Sequence, residues 1–224
     1  MSANLISLLI EATWQTIYMV AASTVLGTIL GLPLGVFLAT SQRGELLSAP
    51  MVNRVLGLIV NAARSVPFII LVVAIIPFTR ALVGTSIGTD AAIVPLTIAA
   101  TPFIARLVEN SIREVDAGLI EAARAMGATP MQIIRKVLLR EALPGITLGL
   151  TLAVVSLIGY SAMVGAVGGE GLGDLGIRYG YQRFMPDVML TVVVILIVMV
   201  QLVQSVGEWI AARVDKRAAR NRGH

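Results

Sequence analysis

The chain has no cysteine and a single histidine, His224 at its end. Without thiolates it cannot build a disulfide framework or a sulfur-ligated zinc site, and one imidazole leaves no cluster for a catalytic metal. Lysine is nearly as scarce. Lys136 and Lys216 are the only two, and neither stands in a GxxxxGK[ST] run, so the phosphate-gripping loop of a P-loop ATPase is missing. Charged residues make up 13% of the chain and aromatics 5%. The net charge of +4 and pI near 10.0 would suit a nucleic-acid binder, but the cations flank apolar runs and have no aromatic neighbours to stack on bases. No nucleic-acid partner is expected.

What is abundant is apolar surface: 57% of residues are hydrophobic and the mean hydropathy is +0.88, too much for one soluble globule of 224 residues. Uncharged runs cover 12–42, 65–79, 91–105, 142–169 and 188–207. The first, fourth and fifth reach the roughly 20 residues that cross a bilayer core. The second and third are shorter and must extend across flanking charges such as Arg64, Asp90 and Arg106, which makes them candidates for the protein interior. The reading is an all-α integral membrane protein with five transmembrane helices and one domain over 1–224. Residues 1–12 hold no Lys or Arg and the run after them is too long for a signal core, so no cleavable leader is expected.

Positive charges set the expected orientation. Fourteen of the 17 lie in three zones: Arg43, Arg54 and Arg64; Arg106 to Arg140; and the tail from Arg213 to Arg222. That bias puts the polar segment after span three and the C-terminus in the cytoplasm, and the N-terminus outside.

The polar segment at 116–141 has its own local logic. Asp116 is placed to cap a helix through Glu121, Ala122, Ala123 and Met126, and Gly127 to end it in the left-handed conformation. Thr129, Pro130 and Gln132 form a capping-box pattern for a second helix. A rigid elbow is expected, thin enough at its alanines and Gly127 to enter a partner's groove.

Glu121-Ala122-Ala123, Gly127, then Val137 and Leu139 resemble the cytoplasmic signature of the permease subunits of type I ATP-binding-cassette importers. Arg140 stands where that signature has its final proline, with Pro144 shortly after. Residues 79–110 and 159–184 are similar to the methionine-transport permeases of this family, and the likeness extends over the chain from about residue 54. The resemblance implies a coupling hairpin built on Glu121, Ala122, Ala123 and Gly127. It implies two cytoplasmic ATPase subunits that hold ATP and Mg, no cofactor in this chain, and pairing with a second copy of itself. It further implies an extracytoplasmic methionine-binding protein and alternating access in a bacterial cytoplasmic membrane. The same machine carrying another small amino acid or organic ligand, and a passive channel or membrane assembly factor, remain as alternatives.

Other features read from the residues. Gly27, Gly31 and Gly35 share one face of span one and suit close helix packing. Pro33, Pro67, Pro95 and Pro102 are expected to kink or break helices, and Arg64 is read as a cytoplasmic-end anchor. Residues 165–180, rich in glycine, are expected to form an external loop. Its Arg178, Tyr179, Tyr181, Arg183 and Phe184 could meet a binding protein. Tyr160, Ser161 and Met163 interrupt the aliphatic surface of span four and, with Asn61 and Ser65, are the expected translocation path; Met163 is expected to close it externally against the second copy. A serine-protease reading of Ser161 lacks any nearby base.

Overall fold

The computed structural model describes residues 3–42 and 44–215; Arg43, Lys216, Arg217, Arg220, Arg222 and His224 lie outside the described residues. The elements among them are all helical. They are α1 (Ala3–Thr40), α2 (Pro50–Ser65), α3 (Phe68–Ala74), α4 (Ile76–Val83), α5 (Thr89–Arg113), α6 (Ala117–Ala125), α7 (Pro130–Ile133), α8 (Leu139–Gly165), α9 (Gly171–Leu175) and α10 (Pro186–Val214).

Four long apolar helices carry the expected spans one, three, four and five: α1, α5, α7 continued into α8, and α10. The remaining span is a broken helix. Between α2 and α3 the axis bends by 100°. Pro67 supplies no N–H, and the residue before a proline is pushed out of helical geometry, so Val66 takes an extended conformation at φ −77°, ψ 125°. Pro33, Pro95 and Pro102, expected to disrupt helices, are carried inside α1 and α5.

The core forms around α5, as expected for span three: Leu96, Ile104, Ala105 and Val108 are fully buried. Of span two, α3 buries Phe68 and Val72 and α4 buries Thr79, while α2, before the break, buries only Val60. Lipid tails are as apolar as the helices, so close packing must hold the bundle together in the bilayer. Gly27, Gly31 and Gly35 supply it: Cβ atoms added there would sit 2.8 Å from Ala100 Cβ, 2.7 Å from Thr101 O and 2.4 Å from Ala105 O.

The glycine-rich stretch is a correction. Instead of a loop, α9 and the wider helical turns over Gly176–Tyr181 fold into the bundle, with Leu172 and Leu175 buried. Side chains from distant helices satisfy the start of α9. Gln15 Oε1 accepts from Gly171 N, and Thr16 Oγ1 accepts from Leu172 N. Glu170 Oε2 in turn accepts from Thr89 Oγ1 at 2.6 Å and from Gln15 Nε2 at 3.2 Å. Tyr181 and Phe184, at the turn that follows, are exposed.

Candidate functional site: the elbow and the cavity it joins

The elbow forms as its residues dictate. Asp116 Oδ1 accepts from Gly118 N at 2.7 Å, and α6 ends in Gly127 at φ +77°. Thr129 Oγ1 accepts from Gln132 N while Gln132 Oε1 accepts from Thr129 N, which completes the capping box. The second arm does not stop where the signature's proline would stand. Through π-type turns over Ile134–Leu138 it runs on into α8, past Arg140 and Pro144, as one continuous helix from Pro130 to Gly165. The elbow is thus rigidly joined to α8 on one side and, through a short turn, to α5 on the other.

Its four predicted residues divide by exposure. Glu121, Ala122 and Gly127 face outward, while Ala123 is buried in one cluster with Ile112, Val115, Ile133 and Ile134 and seats the elbow on the bundle. Met126, which the sequence reading treated only as a helix residue, is 81% exposed at the tip beside Gly127. The elbow therefore presents a small, partly apolar knob with a carboxylate on its flank.

Of the five expected path residues, only Tyr160 lines a cavity. Tyr160 stacks on Phe68 at a centroid distance of 4.4 Å, and both line a cavity of about 160 Å³ with Arg64 and Phe103. Ser161 turns into the bundle, buried, and donates to Ile158 O at 2.7 Å. Met163 is half exposed on the outer side of α8. Ser65 donates to Asn61 O within α2, and the Asn61 side chain accepts from Arg106 Nη2 at 2.9 Å. Asn61 thus serves a helix–helix contact in this structure.

That contact belongs to a cluster the sequence reading missed. Glu109, 2% exposed in α5, accepts from Arg106 Nη1 at 2.5 Å and from Arg113 Nη2 at 2.6 Å. Arg106 also reaches Gly57 O and Asn61 of α2, so one buried carboxylate fixes the guanidinium that clamps α2 to α5. The signal was the spacing of Arg106, Glu109 and Arg113, which share one helix face. Replacing Glu109 by Ala leaves Arg106 partly buried without its carboxylate, though still bonded to Gly57 O and Asn61, which is expected to cost about 1–3 kcal/mol. A thermal-melting comparison in detergent checks it: Glu109→Ala should melt well below wild type, and equal midpoints would remove the clamp from the account.

A bundle of apolar helices entered by a capped polar elbow has the form of an integral membrane protein. The chain belongs to the family described as binding-protein-dependent transport system inner membrane component, whose model matches residues 31–220. It is therefore a multi-pass inner-membrane protein. It is 58% identical over 210 residues to the probable D-methionine transport system permease protein MetI of Vibrio cholerae, covering 94% of this chain and 93% of that one. With the D-methionine transport system permease protein MetI of Escherichia coli strain K12 it shares 54% identity over 165 residues, 74% of this chain and 76% of that one. An inward-facing structure of the MetNI methionine ABC transporter superposes with a TM-score of 0.94 at 51% identity, covering 96% of this chain and all of the matched one. An amino acid ABC transporter crystallised with histidines matches at TM-score 0.77 and 20% identity, over 95% of this chain and all of that one, a likeness of fold alone.

Proposed function

We propose that this chain forms the translocation path of an ATP-driven methionine importer. The observation that carries the reading is the connectivity of the elbow. Its arms lead directly into α5, which bears Phe103 and Arg106, and α8, which bears Tyr160 and Met163, so a force on the elbow moves two walls of the cavity together. Residues 1–224 act as one domain with the hairpin 116–141 inside it; Glu121, Ala122 and Gly127 form its coupling surface, which buried Ala123 seats on the bundle.

A single chain has one elbow, and a pathway needs an opposing wall; two copies, each engaging one cytoplasmic ATPase with its ATP and Mg, supply both. Asn61, Ser65, Tyr160, Ser161 and Met163 belong to the path or its supporting helices. Alternating access then has a physical sense: nucleotide binding draws the elbows together and opens the path towards an extracytoplasmic binding protein, and hydrolysis resets it. The exposed aliphatic faces of α1 and α10 meet lipid, and the positive-charge bias supports an external N-terminus and a cytoplasmic C-terminus.

Methionine is supported by the names of the relatives and by the aromatic walls of the cavity, since thioethers pack well against ring edges. Uptake of labelled methionine into proteoliposomes holding the complete complex tests this. Accumulation that needs ATP and binding protein and is competed by unlabelled methionine is expected. ATP-driven uptake of another small ligand with none of methionine would move the chain to that substrate.

A further inference from the structure

Arg64 stands in the last turn of α2, just before the break at Val66–Pro67, and reaches across to α5. Its guanidinium carbon lies 6.0 Å from the centre of the Phe103 ring. Phe103 stands ten residues before the end of α5 at Arg113 and fourteen after its start at Thr89. At about 1.5 Å per residue this is roughly 15 Å from one end and roughly 21 Å from the other, near the middle of the span. A cation at that depth is costly unless it has a partner or water. Arg106, a turn nearer the end, has Glu109 and Asn61. Arg64 meets no carboxylate among the described residues, and it borders the 160 Å³ cavity whose other walls include Phe68, Phe103 and Tyr160.

We propose that Arg64 receives the α-carboxylate of the amino acid as it passes the break, while Phe103 and the Phe68–Tyr160 stack form the wall against its side chain. This rests on reading the chain as an amino-acid permease. The chemistry is complementary: a planar guanidinium fork matches a carboxylate through two parallel hydrogen bonds, and ring faces and edges favour a flexible thioether. The cavity holds no acidic side chain, so it would not trap the substrate through its ammonium group. The polar and apolar ends of the ligand are therefore sorted by different residues, and substitutions should separate them.

The test measures competition against labelled methionine on the assembled permease–ATPase complex in nanodiscs, without binding protein and with the ATPase alone as blank. Unlabelled methionine, methioninamide and norleucine are the competitors, and methionine uptake by the same complex reconstituted into proteoliposomes with binding protein and ATP is followed in parallel. In wild type the amide, which lacks the negative charge, should compete at least about tenfold more weakly than the acid. Arg64→Gln should weaken methionine and erase that ratio; Arg64→Lys, which keeps the charge without the fork, should keep a reduced ratio. Tyr160→Ala should weaken methionine and norleucine alike and leave the acid-to-amide ratio intact. An unchanged ratio in Arg64→Gln, or a transporting wild type that does not distinguish acid from amide, overturns the proposal and leaves the importer reading standing. The same holds if Arg64→Gln only loosens pairing between copies, the result expected were Arg64 to face a carboxylate of the second copy. A wild type that transports no methionine defeats the underlying reading instead.

Discussion

Replacing Gly127 with valine is expected to reduce coupled transport at least about tenfold while the spans still insert. Space is not the obstacle, because nothing lies within 4 Å of a Cβ built there. The obstacle is the backbone. At φ +77° an ordinary L residue loses about 1–2 kcal/mol, and a β-branched one fares worse. Relief of that strain must reorient α6 against the α7 capping box, and both arms end in helices that line the cavity. A misdirection of about 1.4 kcal/mol in engaging the ATPase is already a factor of ten. Asparagine tolerates the left-handed region, so Gly127→Asn should retain most activity. Methionine uptake per ATP hydrolysed, with membrane content checked by quantitative blotting, gives the answer; wild-type coupling in Gly127→Val would sink the elbow's role.

Gly35→Leu should act earlier, by preventing the bundle from assembling. A Cβ at position 35 would approach the Ala105 carbonyl oxygen at 2.4 Å and Val108 Cβ at 2.7 Å. Neither neighbour is the loose end of a flexible side chain, so α1 and α5 would have to separate. Overpacking commonly costs about 1–3 kcal/mol, and a backbone carbonyl that cannot move puts this site at the upper end or beyond. Because α5 carries Phe103, Arg106 and Glu109, its displacement would also unmake the α2 clamp and the cavity. Little monodisperse protein is expected on size exclusion. Gly159→Ala is the control, since a Cβ there meets nothing within 4 Å. A Gly35→Leu protein with wild-type yield and melting would show that α1 does not pack as described.

These two glycines mark how far the sequence is legible. The elbow could be read residue by residue because caps are local: Asp116, Gly127, Thr129 and Gln132 act on backbone groups within three positions of themselves. The ridge at Gly27, Gly31 and Gly35 was legible as a periodicity, though not which helix it would meet. Pro67 gave the break and not its 100° angle, which depends on where α2 lies against α5. Residues 171–181 looked like a loop because glycine favours turns. They are helical, with Leu172 and Leu175 buried, because Gln15 and Thr16, far away in sequence, receive the start of α9 and Thr89 holds Glu170 just before it. The neighbours of Arg64 and Glu109 could not be read for a related reason: charge counting assigns a residue to a side of the membrane, and only tertiary packing sets its partners.

The absence of native cysteine allows the coupling claim to be tested with single thiols. The thiol of Met126→Cys, on the exposed tip of the elbow, should react with an impermeant reagent only from the cytoplasmic side, and that of Thr85→Cys only from outside. In the assembled transporter the account predicts that a short bifunctional reagent attached at position 126 of the Met126→Cys variant joins this chain to the ATPase subunit, with a yield that changes between nucleotide-free and ATP-bound states. No adduct with the ATPase in any nucleotide state, or labelling of position 126 from outside, would contradict it.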